Sequence, residues 1–217
     1  MAFHTMFNTI LFDFDGTLAN TNGLVIESWQ HVYRVLTGSE AEEEALKATF
    51  GEPLAVSMAK YFPDTPVETA IAIYRGHQKD IYEKMIEPFP GMVELIKELK
   101  GRGLKTAVTT SRMRNTTMIG LNKFGVAEYL DEIITCDDCG KHKPDPEPVL
   151  ITLDRLGAKA EDALMVGDSM FDIKCAHNAG VKAALVGWAE AVTKEDLEGP
   201  DAPEYFIEKA EDLLKLV

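Results

Sequence analysis

Four segments of the chain carry polar residues whose types suit phosphoryl transfer. The first is Asp13–Phe14–Asp15–Gly16–Thr17, which directly follows an apolar run. A carboxylate can attack phosphorus and form an acyl phosphate, which splits one difficult step into two easier ones. A second carboxylate two residues away can protonate the leaving oxygen and later deprotonate the attacking water. We therefore take Asp13 as the candidate nucleophile and Asp15 as the candidate general acid/base.

The other three segments supply the remaining groups that such a site needs. Thr109 and Thr110 offer hydroxyl groups and Lys143 offers a cation, so these side chains can hold phosphoryl oxygens and offset negative charge. Asp168 and Asp172 offer further carboxylates, which are the hard oxygen ligands that Mg²⁺ prefers. We predict that Thr109 and Lys143 are catalytic, and that Thr110 contacts the substrate.

Each of these residues also has an ordinary structural interpretation. Asp13 and Asp15 could cap a helix or lie in a solvated turn, and Asp172 could cap the helix that follows it. Thr109 could be a simple strand residue, and most lysines like Lys143 lie at the surface. The order in which all of these residues occur along the chain favours the catalytic interpretation.

The elements that must position these residues are strands of a parallel sheet. The apolar runs are continuous rather than alternating, which is typical of strands covered on both faces. They are Thr9–Phe12, Thr106–Thr109, Glu132–Thr135, Ala163–Val166 and Lys182–Val186. Helical patterns separate the later runs, with glycines at their ends. The sequence predicts an α/β fold with a Rossmann-like parallel sheet, whose sites form at the carboxyl ends of the strands.

One stretch interrupts this alternation. Between about Asn20 and Glu87 the pattern is helical with no convincing strand, and Pro88–Phe89–Pro90–Gly91 closes it. We expect residues 1–19 and 88–217 to form the catalytic core and residues 20–87 to form a small helical cap. Gly51 and Arg75 in this cap are candidate substrate contacts, since a guanidinium can bind phosphate with two hydrogen bonds. For Arg75, a helix-surface ion pair is an equal alternative.

Composition excludes several classes of partner. The 217 residues include 22 Lys and Arg against 36 Asp and Glu, which gives a formal net charge of -14. Such an acidic chain repels nucleic acid. No apolar run is long enough to cross a membrane, and three cysteines without framework spacing fit a reducing compartment. We expect a cytoplasmic protein, monomeric or weakly dimeric, that acts on a small phosphorylated substrate and binds neither nucleic acid nor membranes.

These motifs resemble those of the haloacid dehalogenase (HAD) superfamily, over nearly the whole chain. The resemblance places Asp13 as nucleophile, Asp15 as acid/base, Thr109 as the second-motif hydroxyl and Lys143 as the third-motif lysine. It also implies a Mg²⁺ cofactor, and its metal ligands would be Asp13, Asp15 through its backbone carbonyl, Asp168 and Asp172. The helical insertion lies where the superfamily's C1-type cap is found. An acid at position 15 argues against the dehalogenases proper.

Within the superfamily, several segments are similar to the bacterial PpaX pyrophosphatases. These segments are Val108–Thr116, Lys143–Val149, Asn20–Asn22 and the cap residues Tyr74, Arg75 and His77. Ser111 departs from that pattern, since it stands where a lysine follows the paired threonines. Phosphoglycolate phosphatases share almost all of the same motifs. The resemblance implies hydrolysis of inorganic pyrophosphate, with phosphoglycolate or another small phosphomonoester as the alternative substrate.

Two further functions fit part of the pattern. A phosphotransferase similar to β-phosphoglucomutase would use the same residues, provided that its phosphoaspartate resists water until a sugar phosphate arrives. A phospho-accepting or inactive regulatory domain is the non-enzymatic alternative. A receiver domain also gathers acidic residues, a hydroxyl and a lysine at strand ends, but their order along this chain differs.

Overall fold

The computed structural model describes residues 6–50, 52–190 and 192–217. The strands are β1 (Thr9–Phe12), β2 (Ala19–Asn20), β3 (Glu87–Pro88), β4 (Lys105–Thr109), β5 (Glu132–Ile134), β6 (Ala163–Gly167), β7 (Lys182–Val186) and β8 (Tyr205–Ile207). The helices are α1 (Asn22–Thr37), α2 (Glu43–Lys47), α3 (Leu54–Tyr61), α4 (Val67–Met85), α5 (Met92–Gly101), α6 (Arg114–Phe124), α7 (Glu147–Leu156), α8 (Met170–Asn178) and α9 (Lys194–Glu198).

A parallel sheet forms the centre of the molecule. Within the described residues its strand order is β5-β4-β1-β6-β7-β8, and every neighbouring pair is parallel. Ile10 and Phe12 belong to one buried hydrophobic cluster and Leu11 belongs to another, because alternate side chains of β1 point to opposite faces of the sheet. Apolar residues therefore cover both faces, and this explains the continuous apolar runs. The predicted fold class, an α/β Rossmann-like parallel sheet, is confirmed.

Helices α1 to α4 lie between β2 and β3 and share a hydrophobic cluster of their own. Trp29, Val32, Met58 and Tyr74 are among its buried members. Strand β2 pairs with β3 in antiparallel orientation, in a two-stranded sheet separate from the parallel one, so the chain enters and leaves this helical region at adjacent positions. These features support a cap over residues 20–87, and we retain that division as a proposal.

Several elements differ from the sequence-based expectations. Glu40–Phe50 has a helix-like pattern in the sequence, but only α2 within it is helical, and α3 forms after Pro53. Arg112–Phe124 also has a helical pattern, but α6 begins at Arg114, since the backbone N–H of Arg112 donates to Thr110 Oγ1 at 3.1 Å in the preceding turn. Strands β2, β3 and β8 were not predicted, because two or three residues carry no readable periodicity.

The sheet topology determines where the candidate site lies. Strand β1 is central and has β4 and β6 as its two neighbours. The backbone N–H of Asp13 donates to the carbonyl of Val166 at 2.9 Å, so the β1–β6 contact continues past the end of β1. The residues that follow these three strands therefore meet at one edge of the sheet. Among the described residues, no helix is both long and apolar enough to cross a membrane.

Candidate active site

The loop after β1 folds into a tight turn that directs Asp13 and Asp15 towards a cavity. The backbone N–H of Ala19 donates to Phe14 O at 2.8 Å, and that of Gly16 donates to Ala19 O at 2.9 Å. Gly16 has a φ of +71°, and a Cβ at this position would lie 2.1 Å from Asp168 Oδ2. Only glycine fits here, because the backbone is left-handed and also lies against a carboxylate of the site.

Three buried carboxylates form the floor of the site. Asp13, Asp168 and Asp172 each offer an oxygen atom, and these atoms lie within 4.8 Å of one another. Burial raises the pKa of Asp13 to about 7, against the opposing effect of Lys143. Burial also raises the pKa of Asp168 well above its usual range, and the neighbouring charges of Asp172 and Asp13 raise it further. The cluster therefore holds more negative charge than its surroundings compensate.

Lys143 lies inside this cluster rather than at the surface. Its side chain is 4% exposed, and Nζ donates to Asp13 Oδ1 at 2.7 Å and to Asp172 Oδ1 at 2.6 Å. Burial acts to lower the pKa of Lys143, but Asp13 and Asp172 outweigh it and raise the pKa above its usual range. The lysine is therefore a permanent cation beside the candidate nucleophile.

Asp172 caps the start of α8 and also belongs to the acidic cluster. Its Oδ2 atom accepts hydrogen bonds from the backbone N–H of Ser169 at 3.1 Å and from Ser169 Oγ at 2.7 Å, which caps the start of α8. Its Oδ1 atom faces Lys143. The cap fixes the carboxylate in place, and the same carboxylate belongs to the acidic cluster.

The acidic cluster fits a hard divalent cation. Three carboxylates and one lysine leave excess negative charge in a buried place, and a bound cation would remove the cost of that charge. Asp168 Oδ1 also accepts a hydrogen bond of 3.3 Å from Thr17 Oγ1, so the carboxylate is held in position. Asp13, Asp168 and Asp172 are therefore the side chains that could hold a metal ion.

Thr109 ends β4 and Thr110 follows it, and the two side chains have different surroundings. Thr152 Oγ1 donates to Pro148 O at 2.8 Å, so the 2.8 Å contact between Thr109 Oγ1 and Thr152 Oγ1 uses the proton of Thr109. Thr110 lines the cavity with Asp13 and Lys143, whereas Thr109 is absent from the described residues that line it. The structure therefore places Thr110, and not Thr109, among the described residues that line this cavity.

The cavity above the cluster has a volume of about 580 Å³, and helices from the region between β2 and β3 line one side of it. Asp13, Asp15, Thr110, Lys143, Asp168 and Asp172 all line it, and so does Arg75 on α4. The predicted contact Gly51 lies outside the described residues. Every described residue of the predicted site except Thr109 therefore lies on the surface of this one cavity.

Two cationic residues of the cavity were missed by sequence reasoning. Arg112 Nε donates to both carboxylate oxygens of Asp15, at 2.9 and 3.1 Å. Lys79 lies one helical turn after Arg75 on α4 and also lines the cavity. Ser111 stands where the similar sequences have a lysine, and Arg112 directly follows it. A cation displaced by one position from that lysine was therefore the sequence signal that could have identified Arg112.

Cys136 and Cys139 form no disulfide in the structure. Burial raises the pKa of the Cys136 thiol, with a further contribution from Asp137. Burial also raises the pKa of Cys139, to about 11, with Glu147 adding to the shift. Thiols of high pKa are poor nucleophiles, so these surroundings do not favour a redox or catalytic role for the pair.

Comparison with known proteins agrees with this geometry. A family model described as haloacid dehalogenase-like hydrolase matches residues 10–186. The chain is 40% identical over 211 residues to pyrophosphatase PpaX of Halalkalibacterium halodurans, covering 97% of this chain and 96% of that protein. It is 36% identical over 210 residues to pyrophosphatase PpaX of Bacillus cereus, with 97% and 96% covered.

Solved structures show the same architecture. A protein of Lactobacillus plantarum with the provisional name phosphoglycolate phosphatase superposes with a TM-score of 0.87 at 25% identity, covering 98% of this chain and 100% of that one. A haloacid dehalogenase-like family protein of Streptococcus pneumoniae superposes with a TM-score of 0.85 at 23% identity, covering 97% and 98%, and shows the fold alone. With motifs, fold and relatives in agreement, this chain belongs to the haloacid dehalogenase-like hydrolase family.

Proposed function

We propose that this chain is a magnesium-dependent phosphohydrolase that forms a phosphoaspartate at Asp13 and prefers inorganic pyrophosphate. The observation that carries the proposal is the buried cluster of Asp13, Lys143, Asp168 and Asp172 at the base of a cavity that also contains cations. The PpaX relatives, at up to 40% identity over almost the entire chain, support the choice of substrate.

In the first step, a carboxylate oxygen of Asp13 attacks phosphorus and the bond to the leaving oxygen breaks. Lys143 holds Asp13 Oδ1 at 2.7 Å, which orients the carboxylate and favours its ionised form. The Thr110 hydroxyl is free to donate to a phosphoryl oxygen, because it accepts rather than donates in its contact with the Arg112 backbone. When bound to Asp13, Asp168, Asp172 and the Asp15 carbonyl, Mg²⁺ supplies neutralisation of phosphoryl charge.

Asp15 acts in both steps as the proton-transfer group. Its carboxyl gives a proton to the leaving oxygen as the aspartyl phosphate forms. The resulting carboxylate then takes a proton from the water that attacks the aspartyl phosphate, and this releases phosphate and regenerates Asp13. Asp15 is suited to this role because it lies on the cavity wall two residues after the nucleophile and remains 34% exposed.

The preference for pyrophosphate follows from a second cationic region. Arg75 and Lys79 lie on the cavity side of α4, and neither forms an ion pair with a carboxylate of the described residues. A substrate with a second anionic group can bind these cations while its first phosphoryl group lies at Asp13. Pyrophosphate has this form. Phosphoglycolate also has it, with a carboxylate as the second anion, and is the second candidate.

The test measures kcat/KM with Mg²⁺ for pyrophosphate, 2-phosphoglycolate and simple phosphomonoesters. A preference for pyrophosphate of about a hundredfold, worth roughly 2.7 kcal/mol, would support the assignment. Asp13→Asn should abolish turnover, whereas Asp64→Asn, at an exposed position of the cap, is the matched control. Turnover that survives in Asp13→Asn would overturn the nucleophile, and a peak for 2-phosphoglycolate would overturn the substrate.

A further inference from the structure

Arg112 is a buried cation for which the steps above have no role. Its side chain is 8% exposed, whereas the Asp15 side chain that it contacts is 34% exposed. Its Nε atom lies 2.9 Å from Asp15 Oδ2 and 3.1 Å from Asp15 Oδ1. Among the described residues, Arg112 is the only group whose side chain hydrogen-bonds to this carboxylate. The arginine therefore restricts an otherwise mobile side chain to one orientation.

The other side of the guanidinium rests on an aromatic ring. The central carbon of Arg112 lies 4.8 Å from the ring centroid of Tyr82, which is a cation–π contact. Tyr82 belongs to α4, and its hydroxyl donates to the backbone carbonyl of Thr116 on α6 at 2.6 Å. Arg112 thus lies between the acid/base candidate and the helix that closes the cavity.

The end of α4 is anchored to the core close to this contact. Lys123 Nζ, on α6, donates to the backbone carbonyls of Glu83 at 2.6 Å and Ile86 at 2.8 Å. Together with the Tyr82 hydroxyl, these bonds hold the last turn of α4 against α6. The Tyr82 ring that contacts Arg112 is therefore positioned by the hydrogen bonds that join the end of α4 to α6, which we call the α4–α6 junction.

We propose that Arg112 is a positioning residue for Asp15, and that Tyr82 links the orientation of Asp15 to the α4–α6 junction. This role rests on the proposed function, since it requires Asp15 to be the acid/base. The same carboxyl must donate a proton in one step and accept one in the next, so a small displacement slows both steps. Arg112 acts through Asp15 and makes no contact with the reacting phosphorus.

The test compares two esters of similar size, 4-nitrophenyl phosphate and benzyl phosphate. Neither leaving group is charged, so direct binding of a second anion by Arg112 does not enter the comparison. The nitrophenolate ion departs without a proton, whereas the benzyl alkoxide needs one from an acid. We expect Arg112→Gln to lower kcat/KM for benzyl phosphate about 10- to 100-fold and kcat/KM for 4-nitrophenyl phosphate less than about threefold. The comparison uses kcat/KM because this constant reports the step in which the leaving group departs, whereas kcat also contains the hydrolysis of the aspartyl phosphate that both esters share.

Three further variants separate positioning from general structural damage. Tyr82→Leu, which removes the ring, should change the ratio of the two rates in the same direction. Tyr82→Phe keeps the ring but loses the hydroxyl bond to Thr116, so it should change the ratio in the same direction and less than Tyr82→Leu does. Arg102→Gln, at a half-exposed arginine paired with Glu98, is the matched control for loss of a guanidinium. If Arg112→Gln does not fold, Arg112→Lys keeps the charge but loses the planar fork, and an intermediate ratio is expected.

Equal losses of kcat/KM for both esters, or a rise in KM with kcat unchanged, would overturn the positioning role. If pyrophosphate is the only substrate that the unaltered chain turns over, a fall in kcat at constant KM supports the role, and a rise in KM at constant kcat contradicts it. An unaltered chain that hydrolyses none of the three substrates contradicts the proposed function itself. The two failures are therefore distinguishable.

Discussion

The Nζ atom of Lys143 lies 2.7 Å from Asp13 Oδ1, and both side chains are buried. The same atom donates to Asp172 Oδ1 at 2.6 Å, so one ammonium group joins the candidate nucleophile to a candidate metal ligand. Neither carboxylate would be stable at this depth without such a partner. The relationship makes the integrity of the site and the stability of the fold depend on one residue.

Lys143→Met should reduce both activity and stability. Loss of one partner from a buried ion pair costs about 3–5 kcal/mol, because the remaining charges stay buried and uncompensated. We expect at least a hundredfold fall in kcat and a lower free energy of unfolding in denaturant titrations without metal. Lys159→Met, at a side chain that is 75% exposed, is the matched control. Near-normal values of both quantities in Lys143→Met would contradict the arrangement.

A pair of valine substitutions distinguishes Thr109, at the end of β4, from Thr110, which follows it. Thr110→Val should lower kcat/KM about 10- to 100-fold, because a residue that lines the cavity loses the hydroxyl proposed to bind a phosphoryl oxygen. Thr109→Val removes the contact with Thr152 and should mainly cost about 1 kcal/mol of stability. Steady-state kinetics and thermal unfolding of both variants test this. The opposite result would restore Thr109 to the role that the motif resemblance implies.

Magnesium should stabilise the protein through Asp168. A ligand at a hundred times its Kd raises the free energy of unfolding by about 2.7 kcal/mol, so Tm should rise as Mg²⁺ is added. Asp168→Asn should abolish this rise, and Asp64→Asn should retain it. Without metal, Asp168→Asn should be at least as stable as the unaltered chain, since one of three crowded carboxylates is gone. A rise of the same size in Asp168→Asn would exclude that carboxylate as a ligand.

Gly120 on α6 should not tolerate a side chain. A Cβ there would lie 2.5 Å from the Phe14 ring and 3.0 Å from the Tyr82 hydroxyl. Phe14 stands between Asp13 and Asp15, so a displaced ring moves both carboxylates. We expect Gly120→Ala to lose about 1–3 kcal/mol of stability. Gly76→Ala, at a helical position with open space around it, should instead gain about 0.5–1 kcal/mol, and the comparison is made by denaturant titration.

Asp138 should contribute stability that depends on pH. Burial acts to raise its pKa, but hydrogen bonds from Thr135 and Arg114 outweigh burial and lower the pKa to about 2. A carboxyl whose folded-state pKa is depressed stabilises the protein above its unfolded value and loses this contribution as pH falls. Asp138→Asn should therefore cost about 1–2 kcal/mol at pH 7, and the difference should vanish as pH falls from about 4 to about 2. A difference that does not change over this range would contradict the assignment.

Local patterns in the sequence were sufficient to predict strands β1, β4, β5, β6 and β7 and the acidic turn. The run Thr9–Phe12 followed by Asp13–Thr17 is contiguous, so the strand and the two carboxylates at its end could be predicted together. Lys143 is different, because its contact with Asp13 spans 130 residues and only its place in the motif order indicated it. The contact of Thr109 could not be predicted in this way, since its partner Thr152 lies on α7 and the local pattern contains no information about it.

The sequence by itself determined the family, the parallel α/β sheet and the set of acidic residues at its strand ends. The sheet is indicated by continuous apolar runs, and the acidic turn by residues that are adjacent in the chain. The family is indicated by the resemblance of the motifs and by their order along the chain. The tertiary structure alone decided that Thr110 rather than Thr109 faces the cavity and that Arg112 holds Asp15 across 97 residues. Such contacts depend on how separate helices pack against the sheet. The orientation of a side chain is therefore settled only when its distant neighbours are in place.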